Sequence, residues 1–275
     1  MALTEGTTAP GGEASLSAGL TDVIGRLPYR VQLAGGWIDQ PFISELNPEP
    51  PGSMVVVCLE PTVRFMDRCG MATGTRYIAQ EIWGDEFPDR SRDELIRELY
   101  AAENQDLAQP SGSQDMAGLI VPGISRLDYD VSVDEGIFPT HIESTSDAAS
   151  VEWLENVLQF VAVGPRPAGY DPLIVRRLDP EWVGRLSRSG KDCYDSIVRR
   201  DLPGLGASMV ECTLAWDALL PGIFAHPTIS LDLKGLLASY QAAYPGAMFS
   251  GCGGGYIVIA SDREVPGSFR VKVRA

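Results

Sequence analysis

The hydrophobic pattern of this chain changes character partway along, and that change limits the architectures open to it. Through Val163 the sequence reads as short β-branched runs separated by helical stretches; from Asp179 it reads as three successive helices and then short strands. Leu27–Leu33 is a strand running into a Gly35-Gly36 turn, and the breaker cluster Asn47–Gly52 precedes a strand or hairpin at Met54–Phe65. Residues 72–83 have helical spacing and stop at Gly84. Ser91–Asp106 is a stronger helix: Ser91 can cap it, Glu94 sits three residues on, and Leu95, Leu99 and Ala102 share a face. Gly123–Val133, Ile137–Ile142 and Val157–Val163 read as strands. Asp179–Arg200, Leu205–Leu219 and Leu231–Tyr244 read as helices, and strands near 246–250, 255–260 and 268–274 close the chain. Strands and helices mixed in two unequal halves predict an α+β architecture with a cleft between them. The GPRPAGYDP stretch from Gly164 is the expected hinge, giving domains at 21–165 and 166–275 behind a flexible tail, residues 1–20.

Charge and cysteine usage exclude several classes. A formal net charge of −15 repels phosphate backbones and anionic lipids, so neither nucleic acid nor membrane is an expected partner. No apolar run approaches a membrane span, and the first residues lack the basic and apolar regions of a secretory signal. Cys58, Cys69, Cys193, Cys212 and Cys252 form no CxxC pair, which argues against a zinc site or disulfide framework and for free thiols in a reducing cytoplasm. His141 and His226 lie far apart, so a histidine-based catalytic pair is not expected.

Four segments carry chemistry. In Pro28–Asp39 a strand delivers Arg30, Gly35 and Gly36 turn the chain, and Asp39 follows nine positions after Arg30. The turn can bring both into one pocket, or simply close a salt-bridged hairpin. In Cys69-Gly70-Met71-Ala72-Thr73-Gly74-Thr75-Arg76, small residues open a helix, where free N–H groups and the helix dipole make either an anion site or an ordinary capped turn. In Glu103–Asp115 one carboxylate near a helix end precedes a Pro110-x-Gly112 turn and a second carboxylate opens the next helix. Phosphoryl transfer uses such a set, one acid for Mg²⁺ and one for a hydroxyl proton; two solvated helix-end acids are the alternative. Gly246–Gly255 places four glycines in five residues between two strands, which lets a ligand approach the backbone closely. Ser189-Gly190-Lys191 imitates a P-loop, but Asp192 stands where Ser or Thr is needed and the segment falls inside a helical pattern.

These four segments, in this order, resemble the motifs of GHMP kinases, the group of galactokinase, homoserine, mevalonate and phosphomevalonate kinases. The nearest flavour is the fucose and heptose kinase branch. The resemblance covers roughly residues 24–262. It implies a two-domain fold: an N-terminal β-α-β domain with a left-handed βαβ phosphate-binding unit, and a C-terminal ferredoxin-like α/β sandwich. It implies an ATP- and Mg²⁺-dependent kinase acting on a hydroxyl of a sugar-like substrate, and leaves room for a homodimer. Gly70, Met71, Ala72, Thr73, Gly74 and Thr75 would hold the ATP phosphates. Glu103 and Thr75, or Thr73 in its place, would hold Mg²⁺. Asp115 would orient or deprotonate the acceptor hydroxyl, with Arg30 keeping it ionised. Asp39, Gly35, Gly36, Gly251, Gly253 and Gly254 would meet the substrate. The sequence departs from the pattern where CGMATGTR replaces the usual phosphate loop and where only roughly thirty residues separate the first two motifs. That shortening keeps open the alternative of a sugar-binding or regulatory protein on the same fold with impaired catalysis.

Overall fold

The uninterrupted apolar run after the Asn47–Gly52 breaker becomes a strand buried at every position, as a strand covered on both faces must be. The computed structural model describes residues 24–105, 107, 110–225 and 230–275; the expected tail and His226 lie outside them. That strand, β2 (Gly52–Leu59), is flanked by β1 (Tyr29–Gln32) and β3 (Ile124–Tyr129), with β4 (His141–Thr145) beyond β3, all antiparallel. It ends at Leu59, short of the expected Phe65, because Pro61 has no N–H to continue a ladder. Between β1 and β2 lies α1 (Pro41–Ser44); between β2 and β3 lie α2 (Thr73–Trp83), α3 (Arg92–Asn104) and α4 (Gln114–Ile120). The cap of α3 forms as expected: Glu94 N donates to Ser91 Oγ at 3.3 Å and Ser91 N donates to Glu94 Oε2 at 3.0 Å.

α5 (Ala148–Val157), not anticipated, runs directly into β5 (Leu158–Gly164). With β6 (Gly246–Gly251) and β7 (Gly254–Ala260), β5 makes a second antiparallel sheet in the order β5-β7-β6. α6 (Pro180–Arg199) and α7 (Leu202–Leu219) form a helical hairpin between the two sheets, α6 against β2 and α7 against β6. Gly190, from the P-loop imitation, is a packing residue here: a Cβ on it would meet Ser53 O at 2.0 Å. α8 (Leu233–Ala243) covers the other face of the second sheet, where Leu233 and Leu237 pack on Ala247, Phe249, Ile257 and Ile259. Apart from that smaller cluster under α8, the main core runs from Val31, Val57 and Leu127 in the first sheet to Phe160, Met248 and Val258 in the second.

Three expectations take a different form. Every pairing among the described residues is antiparallel; β2 and β3, which flank α2–α4, pair directly, so the βαβ unit is not a parallel crossover. The expected hinge follows β5, although β5 already belongs to the second sheet. Residues 268–274 form only isolated bridges, Leu59 to Val273 and Phe160 to Phe269, because they pass from one sheet to the other and ladder with neither. All five cysteines are free and buried, and no helix among the described residues is long and apolar enough to cross a membrane.

Candidate active site

Arg30 leaves the middle of β1, and its side chain crosses α4 where Gly118 makes room: a Cβ there would meet Arg30 Cγ at 2.2 Å. The guanidinium then forms an ion pair with Asp115 in the first turn of α4, and its Nη1 donates to Gly70 O at 3.3 Å. Thr75 Oγ1 donates to the other carboxylate oxygen, Asp115 Oδ2, at 3.5 Å. Burial pulls the Arg30 guanidinium down to about 10, against the opposing pull of Asp39 and Glu103. Residues from β1, α2 and α4 thus converge on one carboxylate.

Asp39 follows the Gly35-Gly36 turn and is buried, with Oδ2 accepting from Gln114 N at 3.3 Å. Burial pushes its carboxyl up to about 6, opposed by the Gln114 amide and by Arg30. Gly112 permits this approach, since a Cβ there would fall 1.7 Å from Asp39 Oδ2. Gly35 and Gly36 do not line the cavity. Gly35 has φ +84° and packs under the Ser53–Met54 backbone, while Gly36 lies against the Gln32 side chain and its carbonyl accepts from Trp216 Nε1 at 3.0 Å. They shape the turn that presents Asp39.

The Gly70–Thr75 segment opens α2 without a side-chain cap. Ala72 takes a left-handed conformation, φ 53° and ψ 31°, and a Cβ on Gly74 would meet nothing within 4 Å, so the helix start faces open space. Met71 is buried and its carbonyl accepts from Arg30 N at 3.5 Å; Thr73 Oγ1 accepts from Arg68 N at 3.3 Å. The glycine-rich turn packs backbone to backbone on this segment. Ser250 Oγ donates to Cys69 O at 2.6 Å, and a Cβ on Gly251 would lie 2.9 Å from Gly70 Cα. Gly253 faces the Tyr170 ring and Gly254 begins β7, so of the three expected glycines only Gly251 lines the cavity.

That cavity has a volume of about 390 Å³ and brings together Arg30, Asp39, Gly70, Asp115 and Gly251. Glu103 stands just behind it, its Oε1 accepting from Ser111 Oγ at 2.8 Å. Among the described residues, the buried side-chain polar atoms without a hydrogen-bond partner are Arg30 Nε, Asp39 Oδ1, Glu103 Oε2, Gln114 Oε1 and Asp115 Oδ1, the last of which faces Arg30 in the ion pair. Native proteins leave few such atoms, and Arg30, Asp39, Gln114 and Asp115 all line this one cavity. No cluster of three or more His, Cys, Asp or Glu side chains suited to a metal occurs among the described residues. Mg²⁺, however, is commonly held by one or two carboxylates together with phosphates and water, and the free Glu103 Oε2 fits that use. Sequence reasoning missed Gln114, Trp37, Arg166, Asp171 and Trp216 as lining residues. Gln114, Trp37, Arg166 and Asp171 stood inside segments already singled out; Trp216, on α7, carries no local signal that could have found it.

No family model and no curated protein matches the chain. Solved structures do. The galactokinase of Lactococcus lactis in complex with galactose is similar with a TM-score of 0.59 and 11% identity, over 95% of this chain and 98% of that one. A putative sugar kinase from Campylobacter jejuni is similar with a TM-score of 0.56 and 10% identity, over 90% and 94%. A D-glycero-D-manno-heptose 1-phosphate kinase from Bacteroides thetaiotaomicron is similar with a TM-score of 0.54 and 11% identity, over 91% and 95%. The chain has the two-domain GHMP-kinase fold that these proteins share.

Proposed function

We propose that this chain transfers a phosphoryl group from ATP to a hydroxyl of a sugar-like polyol. The observation that carries the reading is the convergence of Arg30, Thr75 and Asp115 beside a cavity ringed by unpartnered buried polar atoms. Asp39 Oδ1 and Gln114 Oε1 accept hydrogen bonds from substrate hydroxyls and orient the sugar. The uncapped start of α2, from Gly70 to Thr75, offers N–H groups and the positive end of the helix dipole to the ATP phosphates. Asp115 takes the proton of the acceptor hydroxyl as that oxygen bonds to the γ-phosphorus and the bond to ADP breaks. Arg30 keeps Asp115 ionised and faces the charge that develops on the transferred group. Glu103 and Thr75 are the residues that would hold Mg²⁺, which supplies charge neutralisation between the phosphates.

The test is a screen of sugars and polyols with ATP and Mg²⁺, read by mass spectrometry for a phosphate adduct, with Asp115→Asn as control. An adduct that forms equally well with the variant, or none with any acceptor, sinks the reading. A polyol-binding protein without turnover is the second reading. It is favoured by the short segment between Asp39 and Cys69, which holds only α1 and β2. Calorimetry separates the two, since that reading predicts sugar binding without Mg²⁺-dependent ATP binding.

A further inference from the structure

Two arginines line the cavity, and only one is accounted for. Arg30 is engaged by Asp115 and Gly70 O. Arg166, in the loop after β5, is half-buried, and among the described residues no carboxylate lies within ion-pair distance of it. Its position is nevertheless fixed. Arg166 N and Nε both donate to Arg68 O, at 3.1 and 3.0 Å, and Arg68 returns bonds from Nε to Arg166 O at 3.0 Å and from Nη2 to Pro167 O at 2.7 Å. Arg68 adopts φ 58°, a left-handed conformation uncommon for a residue with a side chain. The reciprocal clamp holds Arg166 by its Nε and leaves its two terminal nitrogens, the fork that suits an oxyanion, uncommitted to any acid.

We propose that the acceptor molecule carries an anionic group, of phosphate or carboxylate chemistry, and that Arg166 receives it. The inference rests on the kinase reading and names the class of its substrate. Of the Gly70–Thr75 segment only Gly70 lines this cavity, so on the kinase reading the nucleotide reaches it with its terminal phosphate, beside Arg30 and Asp115, and Arg166 is left to the acceptor. Asp39 lines the same cavity with the sign of the proposed group and repels it from its side. The hydroxyl end of the acceptor therefore points to Asp39 and Asp115, and the anionic end to Arg166. The cavity volume of about 390 Å³ is of the size that holds a small phosphorylated or acidic polyol.

Trp37 and Trp216 both line the cavity, so tryptophan emission reports on its occupancy. Inorganic phosphate is the probe, titrated at constant ionic strength into the wild type, Arg166→Gln and Arg166→Lys, each checked for an unchanged melting temperature. Saturable binding is expected in the wild type, weakened at least about 10-fold in Arg166→Gln and recovered in part by Arg166→Lys, in line with one charge-assisted contact. A non-hydrolysable ATP analogue with Mg²⁺ should leave the phosphate affinity unchanged. The proposal is overturned by absent phosphate binding, by equal binding in Arg166→Gln, or by competition from the nucleotide analogue. Failure of the kinase reading is a separate result: phosphate binding that depends on Arg166, with no phosphoryl transfer to any acceptor.

Discussion

Asp115 is held on both oxygens, by the Arg30 guanidinium and by the Thr75 hydroxyl, and a quarter of its side chain stays exposed toward the cavity. Asp115→Asn keeps the shape and the hydrogen-bonding reach but cannot accept a proton. Turnover per folded molecule should drop by about 10²–10⁴-fold, with ATP and acceptor affinities little changed. The variant also leaves the buried Arg30 with weaker compensation, so a stability loss of about 1–3 kcal/mol is expected in denaturant melts. Normal turnover at reduced stability would make Asp115 a structural partner of Arg30 and nothing more. Asp39 gives a pH signature. Its carboxyl is raised to about 6 from an ordinary value near 3.8, so the folded state binds the proton more tightly than the unfolded state. The contribution to stability is fully present below the unfolded value and is lost as pH rises through about 6. Asp39→Asn should flatten the stability profile between those two pH values, while the wild-type acceptor KM should climb as pH falls below 6. A profile that is identical in both proteins would remove Asp39 from the cavity's electrostatics. Arg30, Asp39 and Asp115, which line one cavity, could be singled out because a strand delivers the first into a Gly-Gly turn, the second follows that turn, and the third opens a helix. Arg166 could not be, since a proline-flanked arginine in a loop reads the same whether it faces solvent or a ligand.

Glycine on two helices of the site separates packing from ligand approach. Gly118 lies inside α4, where propensity alone favours alanine by about 1 kcal/mol. Its missing Cβ is, however, the space through which Arg30 passes, 2.2 Å from Arg30 Cγ. Gly118→Ala should therefore destabilise by about 1–3 kcal/mol, the usual size of an overpacked core site, and disturb the Arg30–Asp115 pair. Gly74 in the first turn of α2 meets nothing within 4 Å. Gly74→Ala should leave the melting temperature unchanged or raise it by the equivalent of up to about 1 kcal/mol, yet raise the ATP KM if phosphates lie against that turn. A stable variant with an unaltered ATP KM would move the nucleotide away from α2. The element boundaries show what local chemistry can and cannot announce. The start of α3 was readable from Ser91 and Glu94 because both halves of the cap are local. α5 escaped although Asp147 Oδ2 caps it by accepting from Ser150 N at 2.9 Å. It passes into β5 with no intervening turn, so no breaker residue separates the two periodicities.

The cavity walls come from both sheets, with Arg30, Asp39 and Asp115 on one side and Trp216, Ser250 and Gly251 on the other. That meeting depends on contacts far apart in the chain, which is why the sequence presents the motifs in order without presenting the site. An aromatic cluster ties the halves where they meet. Phe65, after β2, lies 4.9 Å from the Tyr29 ring of β1, 5.6 Å from Tyr256 of β7 and 6.1 Å from Phe269, while Phe269 stacks on Phe160 of β5 at 5.7 Å. Because the hydrophobic core is continuous across this cluster, the two sheets should unfold together. Phe65→Ala removes a ring that is only 3% exposed and should cost about 3–5 kcal/mol. For a chain of this size that corresponds to a fall in Tm of roughly 6–20 °C. The informative observable is the number of transitions. Tryptophans are distributed over both halves, with Trp37 and Trp83 before β3 and Trp182 and Trp216 on the α6–α7 hairpin. Fluorescence and far-ultraviolet circular dichroism should therefore report one coincident transition in the wild type and one in Phe65→Ala, shifted as a whole. If the variant instead melts in two steps, with one half retaining the wild-type midpoint, the halves are independent folding units and the cavity between them can open without unfolding either.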